Sequence, residues 1–308
     1  MKRDKSSPLE RLLAWGLLVV PAVGFVAAIA YSALVRFSWV DLALCGVFYF
    51  LTALGITMGF HRLFTHRSFQ AHPAVKALLA ILGDMAVQGP TVFWVASHRR
   101  HHRYSDVTGD PHSPRVHADG SPSGFWHAHV GWTLRHEHEG WMRYVPDLLR
   151  DPIVVRIDRV YFVWVLLGLA LPAAIGGLVA QHWQGAVGGL LWGGFARIFL
   201  WHHATYSINS VCHIVGDRPF QTTDTSTNNL PCALLTLGEG WHNNHHAFPA
   251  SARHGLWPHQ IDMTYMTIRA LERVGLASAV IVPDAEAIAA KAAAGVAAEA
   301  ELEEVAAG

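Results

Sequence analysis

Charge is scarce in this chain. Asp, Glu, Lys and Arg make up 15% of its 308 residues, against roughly 25% in ordinary soluble domains. The formal net charge is zero, so bulk electrostatics give no argument for nucleic acid as a partner. Cysteine is nearly absent. Cys45, Cys212 and Cys232 form no CxxC pair, which excludes a disulfide framework and a zinc ribbon. They read as small, reduced packing residues. There is no GxGxxG fingerprint for a flavin or nicotinamide, and no fused haem-binding cytochrome domain is expected. What is plentiful is apolar and imidazole side chains: 52% of residues are hydrophobic, and there are 12 Trp and 21 His. That mix points to an integral membrane protein with a histidine-rich polar part.

Long uncharged runs organise the chain. After a basic start (Lys2, Arg3, Lys5, Arg11), Leu12 to Val35 carries no charge. It is long enough to cross a bilayer and too long for the apolar region of a signal peptide. Leu42 to Phe60 is a second uncharged run and leads into His61. Val160 to Gln181 is a third. A fourth helix starts near Trp183 and is expected to run to His213, about 45 Å of helix against a hydrocarbon core of about 30 Å. Its far end should therefore protrude into water. Arg197 lies inside it and must pair or reach the cytoplasmic edge.

Residues 74–96 are fairly apolar, but Lys76, Asp84 and Gly89-Pro90 interrupt them. They read as helices lying on the soluble part or the bilayer surface. The positive-inside rule places the N-terminus, residues 61–159 and the C-terminal part in the cytoplasm. The expected fold is an all-α membrane protein with four transmembrane helices (about 12–35, 42–60, 160–181 and 183–208) in two hairpins. A cytoplasmic helical cap (61–159 and 209–284) completes one domain over 1–284. Residues 285–308, mostly Ala and Glu, read as a solvated or frayed tail.

Histidines cluster where these helices end. His98, His101 and His102 stand at i, i+3 and i+4, one face of a helix, and His242, His245 and His246 repeat the spacing. His61 and His66 form a third cluster. Their i, i+5 spacing does not fit one α-helical face, so the helix should end or bend there. Imidazole suits Fe, Zn, Cu and Ni. Eight such histidines are too many for one ion and a sensible number for two. Soluble di-iron bundles use carboxylates with paired ExxH motifs. Here only Glu239-Gly240-Trp241-His242 matches, so no carboxylate-bridged site is expected. Glu239, Asp106 and Asp110 are better placed to hold the ring N–H groups of ligands, or are ordinary capping carboxylates. His202 and His203 could line a substrate path or bond a neighbouring helix. His112, His117, His127, His129, His136, His138, His254 and His259 read as surface residues or supports for ligands.

The strings HRLFTH, HRRHH and HNNHH, the last followed by Ala247-Phe248-Pro249, resemble the three histidine boxes of the membrane fatty acyl desaturases. The match is to the Δ9 (stearoyl-CoA type) group, bacterial branch. Gly55-Ile56-Thr57, Asp110-Pro111-His112, Gly131-Trp132 and Asn209-Ser210-Val211-Cys212-His213 resemble the same group. The resemblance covers roughly residues 40–262. It implies a di-iron centre held by nine histidines. His61, His66, His98, His102 and His245 would hold one iron. His101, His213, His242 and His246 would hold the other, with Asn209 touching it through water.

The resemblance further implies O2-dependent conversion of a C16–C18 acyl-CoA to a cis-Δ9 product, at the bacterial inner membrane. A saturated C–H bond is not acidic, so an O2-activating iron centre is the chemistry that suits it. Electrons must come from a separate partner, a ferredoxin or a flavin–iron–sulfur reductase. Cys45 and Tyr49, three to four turns before His61, are candidates for the closed end of an acyl tunnel, against a plain packing role. Arg99, Arg103, Arg115 and Arg143 could meet head-group phosphates, although positive-inside topology also requires arginines there. A hydroxylase or ketolase on the same scaffold, or an acyl-lipid desaturase, is the rival reading. A divalent metal transporter is more remote, because its ligands would sit near the midplane of several spans.

Overall fold

The computed structural model describes residues 8–135 and 140–294. Lys2, Arg3, Lys5, His136, His138 and residues 295–308 of the expected tail lie outside the described residues. Helix α1 (Pro8–Leu34) and helix α2 (Trp39–Leu54) form the first hairpin. Ser38 starts α2 by accepting a hydrogen bond from the Val40 N–H at 3.2 Å, an ordinary N-cap. At Gly55 the helix does not stop. It widens into an 11-residue π-helix, Gly55–Thr65, and the bond from His66 N–H to the His61 carbonyl (3.1 Å) continues the i→i+5 pattern. The expected end or bend at the first histidine pair is thus a change of helix type.

Strand β1 (Gln70–Ala71) leads to α3 (Pro73–Asp84) and α4 (Thr91–Tyr104). A Cβ on Gly55 would fall 2.2 Å from the Gly83 backbone nitrogen, so the π-helix and α3 touch backbone to backbone. Pro90 cannot cap α4 with its side chain. Instead Asp84 accepts from the Thr91 N–H (3.2 Å) and Asp158 from the Val92 N–H (2.9 Å). Neighbouring elements thereby hold α4 at the end away from its histidines.

Short helix α5 (Phe125–His129) and α6 (Pro152–Asp158) precede α7 (Tyr161–Ala180). Helix α8 (Trp183–Gly189) turns back on α7. A Cβ on Gly176 would lie 2.3 Å from the Gly185 carbonyl oxygen, the small-residue contact by which helices close up in lipid. A second π-helix, Leu190–Ala196, joins α8 to α9 (Arg197–Ser210), and a 3-10 turn ends at His213. The path from Trp183 to His213 is helical throughout, as expected, though not of one type. Among the described residues three helices are long and apolar enough to cross a membrane: Pro8–Leu34, Trp39–Thr65 and Tyr161–Ala180. Their outer faces expose Leu12, Trp15, Val19, Leu166 and Leu178, side chains that lipid would cover.

Arg197 neither finds a carboxylate nor reaches an edge. It is fully buried and donates to the carbonyls of Met85 (2.6 Å), Gly168 (3.1 Å) and Gly193 (3.1 Å). One guanidinium thereby ties the turn after α3 to α7 and α9. Helices α10 (Leu230–Leu235), α11 (His242–Ala247) and α12 (Met263–Arg273) follow, and β2 (Ala277–Ser278) pairs antiparallel with β1. Residues 285–294 of the expected tail are helical. They are not free of the body: Ile288 and Ala292 pack against the cluster of Phe220, Ala247 and Leu256, and Lys291 donates to the Ala247 carbonyl.

Candidate metal centre

The three boxes meet at the ends of the helices that carry them. The π-helix puts residues five apart on one side, and the His61 and His66 rings lie 4.8 Å apart. Helix α4 delivers His98, His101 and His102, α11 delivers His242, His245 and His246, and the turn after α9 delivers His213. The nine divide into two groups whose ligand atoms lie within 4.8 Å of one another: His61, His66, His98, His102 and His245, and His101, His213, His242 and His246.

Carboxylates fix which ring nitrogen carries the proton. His61 Nδ1–H faces Glu239 Oε2. His101 Nδ1–H donates to Asp110 (3.0 Å), His213 Nδ1–H to Asp106 (2.9 Å) and His246 Nδ1–H to Asp224 (2.7 Å). Each bond leaves an Nε2 lone pair pointing inward. The lone pairs then face one another. His245 Nε2 is 3.1 Å from His61 Nε2 and 2.9 Å from His102 Nε2. His98 and His102 are 3.1 Å apart, and His213 and His242 3.0 Å, at the same atoms. His66, His101 and His246 bury Nε2 atoms with no hydrogen-bond partner. Two imidazoles bound at about 2.1 Å to one ion and at right angles to each other stand roughly 3.0 Å apart. The donor set therefore fits a pair of borderline transition-metal ions such as iron. His61, His66, His98, His102 and His245 would hold one, and His101, His213, His242 and His246 the other.

Electrostatics favour neutral rings at five of these positions and ionised carboxylates beside the histidines, while at His101 burial is outweighed by Asp110, which raises that ring. Burial, then the nearness of like rings, pushes His66, His98, His102, His242 and His245 well below the usual imidazole range. Burial works against the charged form of Asp110, but His101 and the His112 N–H outweigh it and bring it down to about 2. Burial is likewise outweighed at Asp106, by His213, Ser113 and Thr225, and at Asp224, by His246 and Ser226. Both are held well below the carboxylate range.

Glu239, Asp106 and Asp110 lie against the rings of His61, His213 and His101. Asp224 was not foreseen. Its only signal is that it is the one carboxylate in the Thr/Ser run before the third box. Asp224→Asn should lower metal affinity about 10–100-fold. Iron content after dialysis against graded chelator measures this, and a wild-type retention curve would count against the role.

Arg62 was also missed. It is fully buried, donating to Glu239 Oε1 (2.9 Å), to Asp262 Oδ1 (2.9 Å) and to the Ala252 carbonyl (2.7 Å). His254 is buried rather than at the surface, its ring 4.4 Å from that of His245. His202 donates to the Ala86 carbonyl (3.1 Å) and His203 meets His129 (3.0 Å), so neither joins the nine. Asn209 is half-buried on α9, four residues before His213.

The substrate candidates fare unevenly. Cys45 is buried, and Tyr49 donates to the Leu235 carbonyl (2.8 Å) with its ring edge-on to Trp201. Arg99 does not present itself to a phosphate. Its fork is taken by Asp147 (2.7 and 2.9 Å), and it donates to the carbonyls of Phe64 (2.6 Å) and Thr65 (3.2 Å), which end the π-helix. Arg115 reaches the His213 carbonyl (3.3 Å). Arg143 lies over the Tyr144 ring, and exposed Arg103 over that of Tyr104.

Long apolar helices together with nine histidines in two convergent groups that could each hold a metal ion define a membrane-type, histidine-rich protein. Residues 37–260 match the fatty acid desaturase family, and the chain belongs to it. It is 46% identical to a hex-5-enoyl-[acyl-carrier protein] acetylenase of Moorena producens (strain JHB), over 89% of this chain and 87% of that protein. It is 41% identical to an sn-1 stearoyl-lipid 9-desaturase of Anabaena variabilis, over 81% of this chain and 87% of that protein. It is 39% identical to an acyl-CoA C20 Delta5-desaturase of Anemone leveillei, over 91% and 88%.

Proposed function

We propose that this chain inserts a cis double bond, at Δ9, into a saturated C16–C18 acyl chain carried as a thioester, with acyl-CoA the first choice. The observation that carries the reading is the pair of histidine groups with inward Nε2 lone pairs. Iron bound there would supply O2 activation strong enough to take hydrogen from an unactivated methylene, which no side chain can do. The balance is one acyl chain, O2, two electrons and two protons giving one olefin and two waters.

The chain's own residues orient and insulate. Glu239, Asp106, Asp110 and Asp224 hold four ligand rings. Cys45 and Tyr49 would close the far end of the acyl path. For the head group the reading shifts from Arg99 to a cavity on another face of α4, lined by Ala96, Ser97, Arg100, Trp132 and Arg135. The path Trp183–His213 would be the fourth crossing. The cap and both termini would face the cytoplasm at a bacterial inner membrane, and the electrons would come from a separate donor.

Expression in a desaturase-deficient host tests this. Fatty-acid analysis with double-bond location should show a product two hydrogens lighter, unsaturated at carbon 9. A product gaining oxygen would sink desaturation in favour of hydroxylation. Membranes supplied with labelled acyl-CoA, acyl-carrier protein or phospholipid separate the carriers, since the relatives act on more than one kind.

A further inference from the structure

The chain that follows α12 returns to the histidine boxes and ties two of them together. At Ile281 the backbone is bonded on both sides. Its N–H donates to the Ser68 carbonyl (2.8 Å), just past the first box, and its carbonyl accepts from the Ala252 N–H (2.7 Å), just past the third. Two more bonds close a ring. The Ala252 carbonyl accepts from the Arg62 guanidinium (2.7 Å), and the Arg62 carbonyl accepts from the Ser68 N–H (2.9 Å). The Ile281 side chain is exposed, so its peptide groups, not its packing, make the tie. Pairing of β1 with β2, and the bond from the His72 N–H to the Leu276 carbonyl (2.9 Å), continue the tie along the exit of the first box.

Farther on, Asp284 accepts from the Ala287 N–H (2.7 Å) and opens a helical stretch. That stretch carries Lys291 to the carbonyl of Ala247, the last residue of α11, and over the Phe248 ring at 5.0 Å. A cation there satisfies one of the carbonyls that a helix end leaves open. Ile288 and Ala292 pack beside it on the cluster of Phe220 and Ala247. The Phe220 N–H in turn donates to Asn243 Oδ1 (2.9 Å), inside the third box.

The two histidine groups differ in what this tie can hold shut. The group of five takes His61 and His66 from the π-helix and His245 from α11. The His245 ring lies 4.5 Å from that of His61 and 4.6 Å from that of His66. An ion held by both segments leaves only when they part, which is a local opening of the fold. The group of four takes no ligand from the π-helix. The path Ser68–Ile281–Ala252 therefore bears on the five-histidine group.

We propose that residues 276–292 are a clasp that sets the rate of metal exchange at the five-histidine group, with the Ile281 backbone and the Lys291 ammonium as its positioning groups. The proposal rests on the two-ion reading of the site and is independent of the acyl carrier.

The test uses the full chain, iron-loaded in lipid nanodiscs, and follows iron release to an excess of a coloured ferrous chelator. Ile281→Pro removes the N–H that reaches Ser68. About one iron per chain should then leave at least about tenfold faster than in wild type, with the other iron unchanged. Ile281→Ala keeps that N–H and should release iron as wild type does. Lys291→Met should also speed release, and Lys291→Arg, which restores a cation at the end of α11, should return it to the wild-type rate. If the proline variant does not fold, the two Lys291 variants decide alone. Melting temperatures are recorded alongside. Variants that melt lower yet release iron at the wild-type rate would overturn the clasp, as would equally fast release from Lys291→Arg and Lys291→Met. A wild-type protein that takes up no iron would instead overturn the two-ion reading.

Discussion

Replacing His245 with alanine should leave a protein that makes no detectable olefin, with activity below about a thousandth of wild type. His245 Nε2 is central to its group, 3.1 Å from His61 Nε2 and 2.9 Å from His102 Nε2. Its loss opens the group where the lone pairs converge, and the ring of His254 behind it, 4.4 Å away, is no substitute at the same atom. Bound iron should fall from about two per chain to about one, because His101, His213, His242 and His246 form a separate group. Metal analysis of purified protein and product analysis are read together. Full activity with two irons would remove the five-histidine assignment. Lost activity with two irons retained would move His245 from holding metal to placing substrate.

The second large effect is expected at Arg62, which touches no inward-facing nitrogen. Arg62→Met leaves Glu239 and Asp262 buried without their cation. Removing one partner of a buried network costs about 3–5 kcal/mol, and at 2–4 °C per kcal/mol the Tm should drop roughly 10 °C. Asp262 also accepts from the N–H groups of His254 (2.7 Å) and Tyr265 (2.9 Å), so the loss should loosen the start of α12. Thermal inactivation in nanodiscs measures it. The triple change Arg62→Met, Glu239→Gln, Asp262→Asn should recover part of the Tm without recovering activity, since an amide in place of the Glu239 carboxylate no longer fixes the His61 proton. A single variant melting within about 2 °C of wild type would show that the guanidinium is dispensable to the fold.

The positions of these two residues show what a linear sequence discloses. His98, His101, His102, His242, His245 and His246 are legible because one-turn spacing is a property of the α-helix itself, and the apolar runs before His61 and His213 set the level at which they meet. The i, i+5 pair reads in sequence as a break, which it is not. Local propensity does not encode a π-helix; here it accompanies the backbone contact of Gly55 with Gly83, residues far apart in the chain. Charged residues are hardest. Arg99 and Arg197 look in sequence like phosphate hooks or topology markers, yet each is consumed by carbonyls of distant elements. Asp224 is one carboxylate among threonines until folding brings His246 to it. The start of the Ala/Glu tail shows the same limit: its composition reads as solvated, while Ile288 and Ala292 lie against the cluster that includes Ala247 of the third box.

The π-helix has a consequence for how the first box can vary in its history. A helix whose bonds skip five residues holds, over the same axial distance, more residues than its α counterpart. The segment from Gly55 to Thr65 therefore stores length as information. Away from Gly55 and Gly59, where a Cβ would press on Gly83 and Leu79, swapping one small apolar side chain for another leaves the tally intact and should be forgiven. Dropping a single codon would let the ladder snap back to the commoner winding and swing His61 away from His66 by a large part of a turn, with every box still intact on paper. In this stretch it is the spelling that is loose and the letter count that is strict.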